Sequence, residues 1–431
     1  LSPEAVGIIG IGVVVVLMLA RMWIGLSMAL VGFLGVAYLR GLDGALGVLG
    51  TVPFKYVAFY PISAIPLFVF MAVIIANTGI GSSLFNSAHA WLGQLRGGLA
   101  MASILACAGM AAIMGDSVAE VVTMSKVAVP EMKKYKYDSQ LASGSVAAGG
   151  TLGILIPPSL GFIMYGILTE QSVGALFMAG ILPGLLLTCL FLAAVRIVVA
   201  MRPDAGPPGP RTTFKEKVLS LKGTWHTMLL FVMIIGGIYA GIFTPTEAAA
   251  VGAFGAIVIS AASRRLTLKG LVGSIAEATR VSAMIVLLIM GAFILMKFLA
   301  MSKFPFALAD FINDLALPRY GVFAAIIILY VLLGMFLDVF AAVVLTIPVI
   351  FPVVTGLGFD PIWFGVIIVL VLEMGLITPP VGMNVFAMAG VTGIPLDTIF
   401  RGVLPFVIAM IICVILLVIF PQIALFIPGR V

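Results

Sequence analysis

An all-α polytopic membrane protein, built from an inverted repeat with two re-entrant helical hairpins and two broken transmembrane helices, is the fold class that three observations predict. Hydrophobic residues make up 63% of the 431 and charged residues only 9%. Such a chain cannot cover a water-soluble surface, but it can supply many apolar spans of about 20 residues. Residues 116–183 recur at 338–405 with a constant offset of 222 and no gap. Asp116 maps to Asp338, Pro130 to Pro352, Asp138 to Asp360, Gly153 to Gly375, Pro157 and Pro158 to Pro379 and Pro380, and Gly180 and Pro183 to Gly402 and Pro405. Finally, the basic residues gather on particular turns, which is an orientation signal. Two related halves in a lipid-adapted chain suggest a transporter.

Ordinary apolar spans lie near 5–20, 23–39, 63–80, 172–201, 225–243, 246–262, 281–301 and 396–427. The first lacks the basic start and cleavage pattern of a signal peptide, and more spans follow it. Region 98–132 is apolar but interrupted midway by Gly115-Asp116-Ser117, and region 321–354 is interrupted between Gly334 and Asp338. Each is expected to be two short helices meeting at a tip inside the bilayer, with two full crossings as the alternative. Regions 139–169 and 361–391 are long enough to cross but contain Gly-Ile-Leu-Ile-Pro-Pro at 153–158 and Gly-Leu-Ile-Thr-Pro-Pro at 375–380. A double proline removes two backbone donors and disfavours the helical conformation before it, so each region is expected to be a broken helix. Irregular backbone at that depth persists only where protein or a wet cavity surrounds it.

Segments 82–97 and 304–320 mix polar and apolar residues and correspond under the same offset, which predicts helices lying in the membrane interface. They carry His89, Trp91 and Arg96 in the first, and Asp310, Asn313 and Asp314 in the second. His89 and Trp91 are expected to anchor at headgroup depth. Prolines 203, 207, 208 and 210 mark 202–223 as the linker between halves.

If the first hairpin returns to its own side, three basic groups share the cytoplasmic face: Lys133, Lys134 and Lys136; Arg202, Arg211, Lys215, Lys217 and Lys222; and Arg264, Arg265, Lys269 and Arg280. The equivalent turn after the second hairpin, 355–361, has no basic residue, so the second half is expected to be inverted. Ten crossings would leave both termini outside. The +6 charge therefore reports orientation, without the basic stripe and aromatic platforms of a nucleic-acid binder. Cys107, Cys189 and Cys413 lie within apolar segments and show no ligand spacing, as inert core thiols do. No zinc spacing, phosphate loop or nucleophile motif points to an enzyme.

A carboxylate near the bilayer centre costs roughly 2.5 to 3.5 kcal/mol, so Asp116, Glu120, Asp338 and Glu373 need partners. Broken helix ends offer free N–H groups to an anion, and unwound carbonyls can hold sodium. Candidate sodium ligands are Gly115, Asp116 and Ser117 at the first tip with Gly150, Thr151 and Gly153, and Gly334, Asp338, Gly375, Thr378 and Pro379 in the second half. Glycine permits close backbone approach, and hydroxyls with carbonyls suit a hard cation. Candidate substrate contacts are Ser117, Glu120, Pro157, Ser159 and Asn384. Lys126 and Lys297, buried by position, are expected to snorkel or pair with an acid. Thr244-Pro245-Thr246-Glu247 has the chemistry of a helix start.

Several stretches resemble the large membrane subunit of the tripartite ATP-independent periplasmic (TRAP) transporters, within the ion transporter superfamily. They are Val129-Pro130-Glu131-Met132-Lys133-Lys134 with Tyr137-Asp138, then Ala147-Ala148-Gly149-Gly150-Thr151-Leu152-Gly153-Ile154-Leu155-Ile156-Pro157-Pro158-Ser159. In the second half they are Pro348 with Pro352, Gly358-Phe359-Asp360-Pro361, and Ile377-Thr378-Pro379-Pro380-Val381-Gly382-Met383-Asn384. The resemblance covers nearly the whole chain. It implies a sodium-coupled importer of small organic anions, such as dicarboxylates, sugar acids or sialic acids, in the bacterial inner membrane. It also implies sodium sites at the hairpin tips and broken helices, a small four-helix membrane subunit as partner, and a periplasmic substrate-binding protein that delivers the ligand.

An elevator mechanism, also implied, divides the chain into scaffold elements at 1–97 and 224–320 and transport repeats at 98–201 and 321–431, joined by the linker 202–223. The first tip departs from the family pattern: Asp116 and Glu120 stand where many members have Ser and small residues. Other readings are a carrier of the same superfamily that needs no binding protein, the large subunit of a tripartite tricarboxylate system, a channel, or a structural membrane subunit.

Overall fold

The structure, a computed structural model, describes all residues except Arg211, 315–317 and Val431. Arg211 of the linker cluster and the side chains of Asn313 and Asp314 thus lie outside the described residues. The first half runs α1 Pro3–Leu19, α2 Ile24–Val57, α3 Ala64–Asn77, α4 Ile80–Leu92, α5 Gly98–Met114, α6 Ser117–Lys134, α7 Ser139–Gly150, α8 Leu152–Leu155, α9 Leu160–Thr169 and α10 Val173–Met201. The linker holds the short α11 Phe214–Ser220. The second half runs α12 Trp225–Phe231, a π turn Val232–Gly236 leading into α13 Gly237–Tyr239, α14 Pro245–Ala262, α15 Leu268–Ser302, α16 Phe304–Asp314, α17 Arg319–Phe336, α18 Val339–Gly356, α19 Pro361–Gly375, α20 Met383–Thr392, α21 Leu396–Ile419 and α22 Gln422–Leu425. Among the described residues, 9 helices are long and apolar enough to cross a membrane.

The repeat extends beyond the window visible in sequence. The starts of α1, α2, α4, α5, α6, α7, α9 and α10, advanced by 222, fall within two residues of the starts of α12, α14, α16, α17, α18, α19, α20 and α21. The same caps set the paired boundaries. Asp116 Oδ1 accepts from Ala119 N at 2.6 Å and Asp338 Oδ1 from Ala341 N at 2.8 Å. Asp138 caps α7 and Asp360 caps α19 in the same way. Both proline pairs, Pro157-Pro158 and Pro379-Pro380, are joined by cis peptide bonds. Thr244 and Glu247 form the capping box that starts α14.

Three expected boundaries move. α2 continues past residue 39 to Val57 through a break at Gly41, whose φ is 82°. α15 starts at Leu268 rather than 281, so Lys269 and Arg280 sit on a helix. Hydropathy marks where lipid contact ends, but backbone hydrogen bonding does not stop at a charged residue; only Ser274 and Ala278 are buried over 268–281. The last span ends at Ile419, just before Pro421. Lys126 and Lys297 are exposed on their helices rather than buried.

The broken helices form the centre. Every residue from Leu141 to Ile167 is buried, as is α19 from Trp363 onward, whereas α1, α2, α10 and α21 each expose an apolar face. Close crossings rest on glycine. A β-carbon on Gly32 of α2 would stand 2.8 Å from the backbone of Ile294 in α15, and Gly144 of α7 packs directly on the Gly402 backbone of α21. The outgoing hairpin arm of each half packs on the second piece of the other half's broken helix, α6 on α20 and α18 on α9.

One end of the bundle collects the basic groups. Asp138 N, beside the lysine turn, donates to Ala205 O of the linker at 3.0 Å, and Gly97 N donates to Gly206 O at 2.8 Å. Arg265 Nη1 donates to Thr78 O at 3.3 Å, and Lys222 and Gly223 at the linker's end line a recess shared with Arg265. The linker is thereby a strap laced to α4: Gly209 N donates to Gly93 O at 2.7 Å and Thr212 Oγ1 to Ala90 O at 2.6 Å. In the second half, the turn before α19 lies elsewhere. Pro361 O accepts from the Tyr165 hydroxyl at 2.6 Å, on the closing piece of the segment that opens at Ser139 beside the lysine turn.

Candidate functional site

Each hairpin tip meets the middle of its own broken helix. Gly115 closes α5 with a φ of 62°, a conformation that only glycine takes at little cost. Its carbonyl accepts from Leu160 N at 3.4 Å, and Pro158 O would lie 2.9 Å from a β-carbon placed on it. Beneath the tip, a β-carbon on Gly153 would stand 2.6 Å from Glu120 Oε2, 3.1 Å from Asp116 O and 3.2 Å from Ser117 Cα. Gly150 packs equally close to Val121 and lies beside Ser117 O. These glycines let two backbones approach closely, with the carbonyls of Asp116 and Ser117 turned to the broken helix.

The second half repeats the arrangement. A β-carbon on Gly375 would stand 2.5 Å from Gly334 C, and one on Gly334 would stand 2.7 Å from Leu372 O. Gly382 N donates to Met335 O at 3.2 Å, and Asn384 N to Leu376 O at 3.1 Å. The environments differ, however. Pro157, Ser159 and Thr151 are buried, whereas Pro379 is exposed and Thr378 half-buried. The first break is sealed in protein and the second is open.

The predicted site residues therefore divide by what they do. Asp116 and Asp338 each commit one carboxylate oxygen to a helix cap. Ser159 Oγ accepts from Phe162 N at 3.2 Å and caps α9. Thr151 and Thr378 each donate at 2.6 Å to their own helix, to Ala148 O and Met374 O, which leaves acceptor lone pairs free. Ser117, Glu120, Glu373 and Asn384 are different: all four are 0% exposed, and among the described residues none of their side-chain polar atoms makes a well-formed hydrogen bond. Buried polar atoms in that state need an account, and an absent ligand is one.

The two halves converge on these groups. Cys107 sits beside Glu120, and Ser117 beside Glu373, as the nearest side-chain donors; Glu120 lies within electrostatic reach of Glu373 and Asp116, and Glu373 within reach of Asp116. Asp116 reaches Asp338 across the halves. Gly161 of α9 approaches Val339, the neighbour of Asp338, with 3.6 Å from its would-be β-carbon to Cγ1. Among the described residues, no lysine or arginine is among the groups that reach the two glutamates. The donors offered are carbonyls, hydroxyls and carboxylate oxygens, the set that suits a hard cation. Sequence reasoning flagged Glu373 as needing a partner without placing it in a site. Its signal was a lone charge in the apolar run 362–377.

A separate cavity of about 630 Å³ opens where the end of α2 and the starts of α3 and α14 face the α9–α10 turn. Lys55, Tyr56, Glu170, Gln171 and Thr246 line it.

Residues 11–423 match the family profile described as tripartite ATP-independent periplasmic transporter, DctM component. The chain is 35% identical over 400 residues to the C4-dicarboxylate TRAP transporter large permease protein DctM of Pseudomonas aeruginosa, covering 90% of this chain and 93% of that one. It is 32% identical to the sialic acid TRAP transporter large permease protein SiaM of Vibrio cholerae over 86% of each. It is also 34% identical to the ectoine/5-hydroxyectoine TRAP transporter large permease protein UehC of Ruegeria pomeroyi, over 84% of this chain and 85% of that one. Among solved structures, the Alcanivorax borkumensis YdaH transporter has a similar fold, with a TM-score of 0.64 at 15% identity over 89% of this chain and 90% of that chain.

Proposed function

The chain belongs to the DctM family of TRAP transporter large permeases, and from that membership and the paired sites we propose that it couples inward sodium movement to the import of a small organic anion. It is a multi-pass protein of the bacterial inner membrane. TRAP large permeases work with a small membrane subunit and a periplasmic binding protein; for this chain we propose a four-helix subunit and a ligand-delivering protein as its own partners. The relatives named for C4-dicarboxylates and sialic acid make a carboxylate the proposed substrate class.

The observation that carries the reading is the set of unpartnered groups, Ser117, Glu120, Glu373 and Asn384, buried where two hairpin tips meet two broken helices. An ionised carboxylate in such surroundings requires a positive partner, and the described residues supply none there. A co-transported cation would supply it, and would also let an anion approach glutamates that otherwise repel it. The backbone carbonyls at the tips around Gly115 and Gly334 are the proposed cation ligands on both sides of that centre. Inversion of the second half is supported by the separation of the lysine turn at Asp138 from Pro361, which packs by Tyr165 at the closing piece of the 31-residue segment Ser139–Thr169. The cavity between the α2, α3 and α14 ends and the α9–α10 turn is a loosely filled boundary, as an elevator would need between its fixed and moving parts.

The test is uptake into proteoliposomes holding this chain with its small subunit, using an inward sodium gradient and the cognate binding protein loaded with a radiolabelled carboxylate. Saturable uptake that requires both sodium and binding protein is expected. Uptake without the binding protein would assign a free-standing symporter, ion current without saturable uptake a channel, and no uptake a structural subunit.

A further inference from the structure

We infer that the basic end of the bundle holds a binding site for a phosphate oxyanion, in a recess walled by the end of α3, the linker's end with the start of α12, and the end of α14. The recess encloses about 190 Å³ and is lined by Thr78, Lys222, His226, Ser260, Ser263 and Arg265, with Gly223 and Ile259. That is the volume of roughly six waters, enough for one phosphate group and some hydration and less than a drug-sized ligand fills. It lies apart from the hairpin tips.

The chemistry of the wall is one-sided. Lys222 and Arg265 face the recess with His226, Arg265 lies within electrostatic reach of His226, and no carboxylate lines it. Neither of the ion pairs among the described residues, Lys134–Glu131 and Arg401–Asp397, involves these cations. Arg265 is held in position: the left-handed turn at Arg264, with φ 53°, folds the chain back so that Arg265 N donates to Ser260 O at 3.0 Å. One guanidinium nitrogen then reaches Thr78 O at 3.3 Å and Gly79 O at 3.4 Å, which leaves the rest of the donor fork. The independent sign of a ligand is Ser260. Ser260 lines the recess at 1% exposure, and its buried hydroxyl has no hydrogen-bond partner among the described residues. A tetrahedral oxyanion accepts from a buried hydroxyl, a guanidinium and an ammonium together. The position at helix ends on the basic face is where the headgroup of an anionic lipid would sit, and a free phosphate would satisfy the same donors.

The test uses the purified full chain and its tryptophan-monitored melting temperature; Trp225, whose ring centroid lies 4.1 Å from that of His226, reports on the recess. One arm compares nanodiscs of phosphatidylcholine with nanodiscs carrying about 30 mol% phosphatidylglycerol. The other compares inorganic phosphate with chloride at matched ionic strength in phosphatidylcholine. Stabilisation by phosphatidylglycerol assigns the lipid headgroup, and stabilisation by phosphate assigns the free anion. Either must weaken about tenfold in half-saturating concentration in Lys222→Gln or Ser260→Ala, and persist in Lys222→Arg. Neither substituted side chain makes a hydrogen bond in the structure, so melting in phosphatidylcholine and chloride should be unchanged. No shift in either arm, or equal shifts in the wild type and both variants, overturns the site. Transport is not the readout, so failure here leaves the coupling proposal untouched.

Discussion

Substituting Gly375 with alanine tests whether the second tip is built by contact between two backbones. A β-carbon there would stand 2.5 Å from Gly334 C, 2.6 Å from Gly334 Cα and 2.9 Å from Met335 N. All three are backbone atoms on the hairpin arm α17, so no side chain can rotate away. Relief requires α17 and α19 to part by close to an ångström, and overpacking of this kind costs about 1–3 kcal/mol. For a chain of this length that corresponds to a fall in melting temperature of about 1–3 °C. The functional effect should be larger, because parting the arms carries Met335 O away from Gly382 N and opens the tip. Sodium-driven uptake in proteoliposomes is expected to fall at least about tenfold, with the half-saturating sodium concentration raised. The control is Gly390→Ala in α20, where nothing lies within 4 Å of the added carbon. If Gly375→Ala matches that control in both melting and sodium dependence, the close approach is not what shapes the site.

Other outcomes follow from the same geometry. Asp338→Ala loses both charge and cap and should destabilise by about 0.5–2 kcal/mol, whereas Asp338→Asn keeps the cap, so only a coupling role makes both variants need more sodium. Unchanged sodium activation of uptake in both would remove Asp338 from the site. Glu373→Gln replaces an unpaired buried carboxylate with a neutral group, so the variant should melt higher in sodium-free buffer by about 1–3 kcal/mol of stability while losing coupled uptake. Lower melting with intact uptake would contradict this. At the basic end, burial pushes His89 below the usual histidine range, partly opposed by the charge of Glu131. The folded protein therefore favours neutral His89; that stability is present above about pH 6.5 and is lost as pH falls through that value towards the folded pKa. Wild type should lose more stability than His89→Gln between about pH 7.5 and 5.5, and parallel denaturation curves would refute it.

Features set by local chemistry could be read from the chain alone. The hairpin tips, broken helices and α14 start depend on Asp116, Asp338, the proline pairs and Thr244 with Glu247, whose effects reach no further than a few residues. What could not be read depends on contacts distant in sequence. The continuations of α2 and α15 carry charges that end a hydropathy window without ending a helix. The packing of His89 between Phe85 and Tyr135, with ring centroids 6.1 Å and 5.8 Å away, likewise depends on a contact with a separate helix. The sealed first break and the open second one look alike in sequence, because Gly-Ile-Leu-Ile-Pro-Pro and Gly-Leu-Ile-Thr-Pro-Pro differ little. Their difference comes from what α10, α19 and the other helices place around them.

The repeat also separates frame from selectivity. Under the offset of 222, the devices that shape the backbone recur: Asp116 with Asp338, Gly153 with Gly375, and the two proline pairs. The unpartnered polar side chains do not. Ser117 corresponds to Val339, Glu120 to Ala342, Asn384 to Phe162, and Glu373 to the neutral Thr151. One glutamate therefore comes from a hairpin arm and the other from a broken helix, yet they lie within electrostatic reach of each other. A duplicated backbone frame suits a spherical cation, which has no orientation to recognise. An organic anion has two unlike ends, and a site that holds it in one orientation must draw on groups that the duplication does not copy. Exchanging the members of one pair, Ser117→Val with Val339→Ser, leaves both frames in place, so it should impair uptake of the anion far more than the sodium concentration needed to drive it.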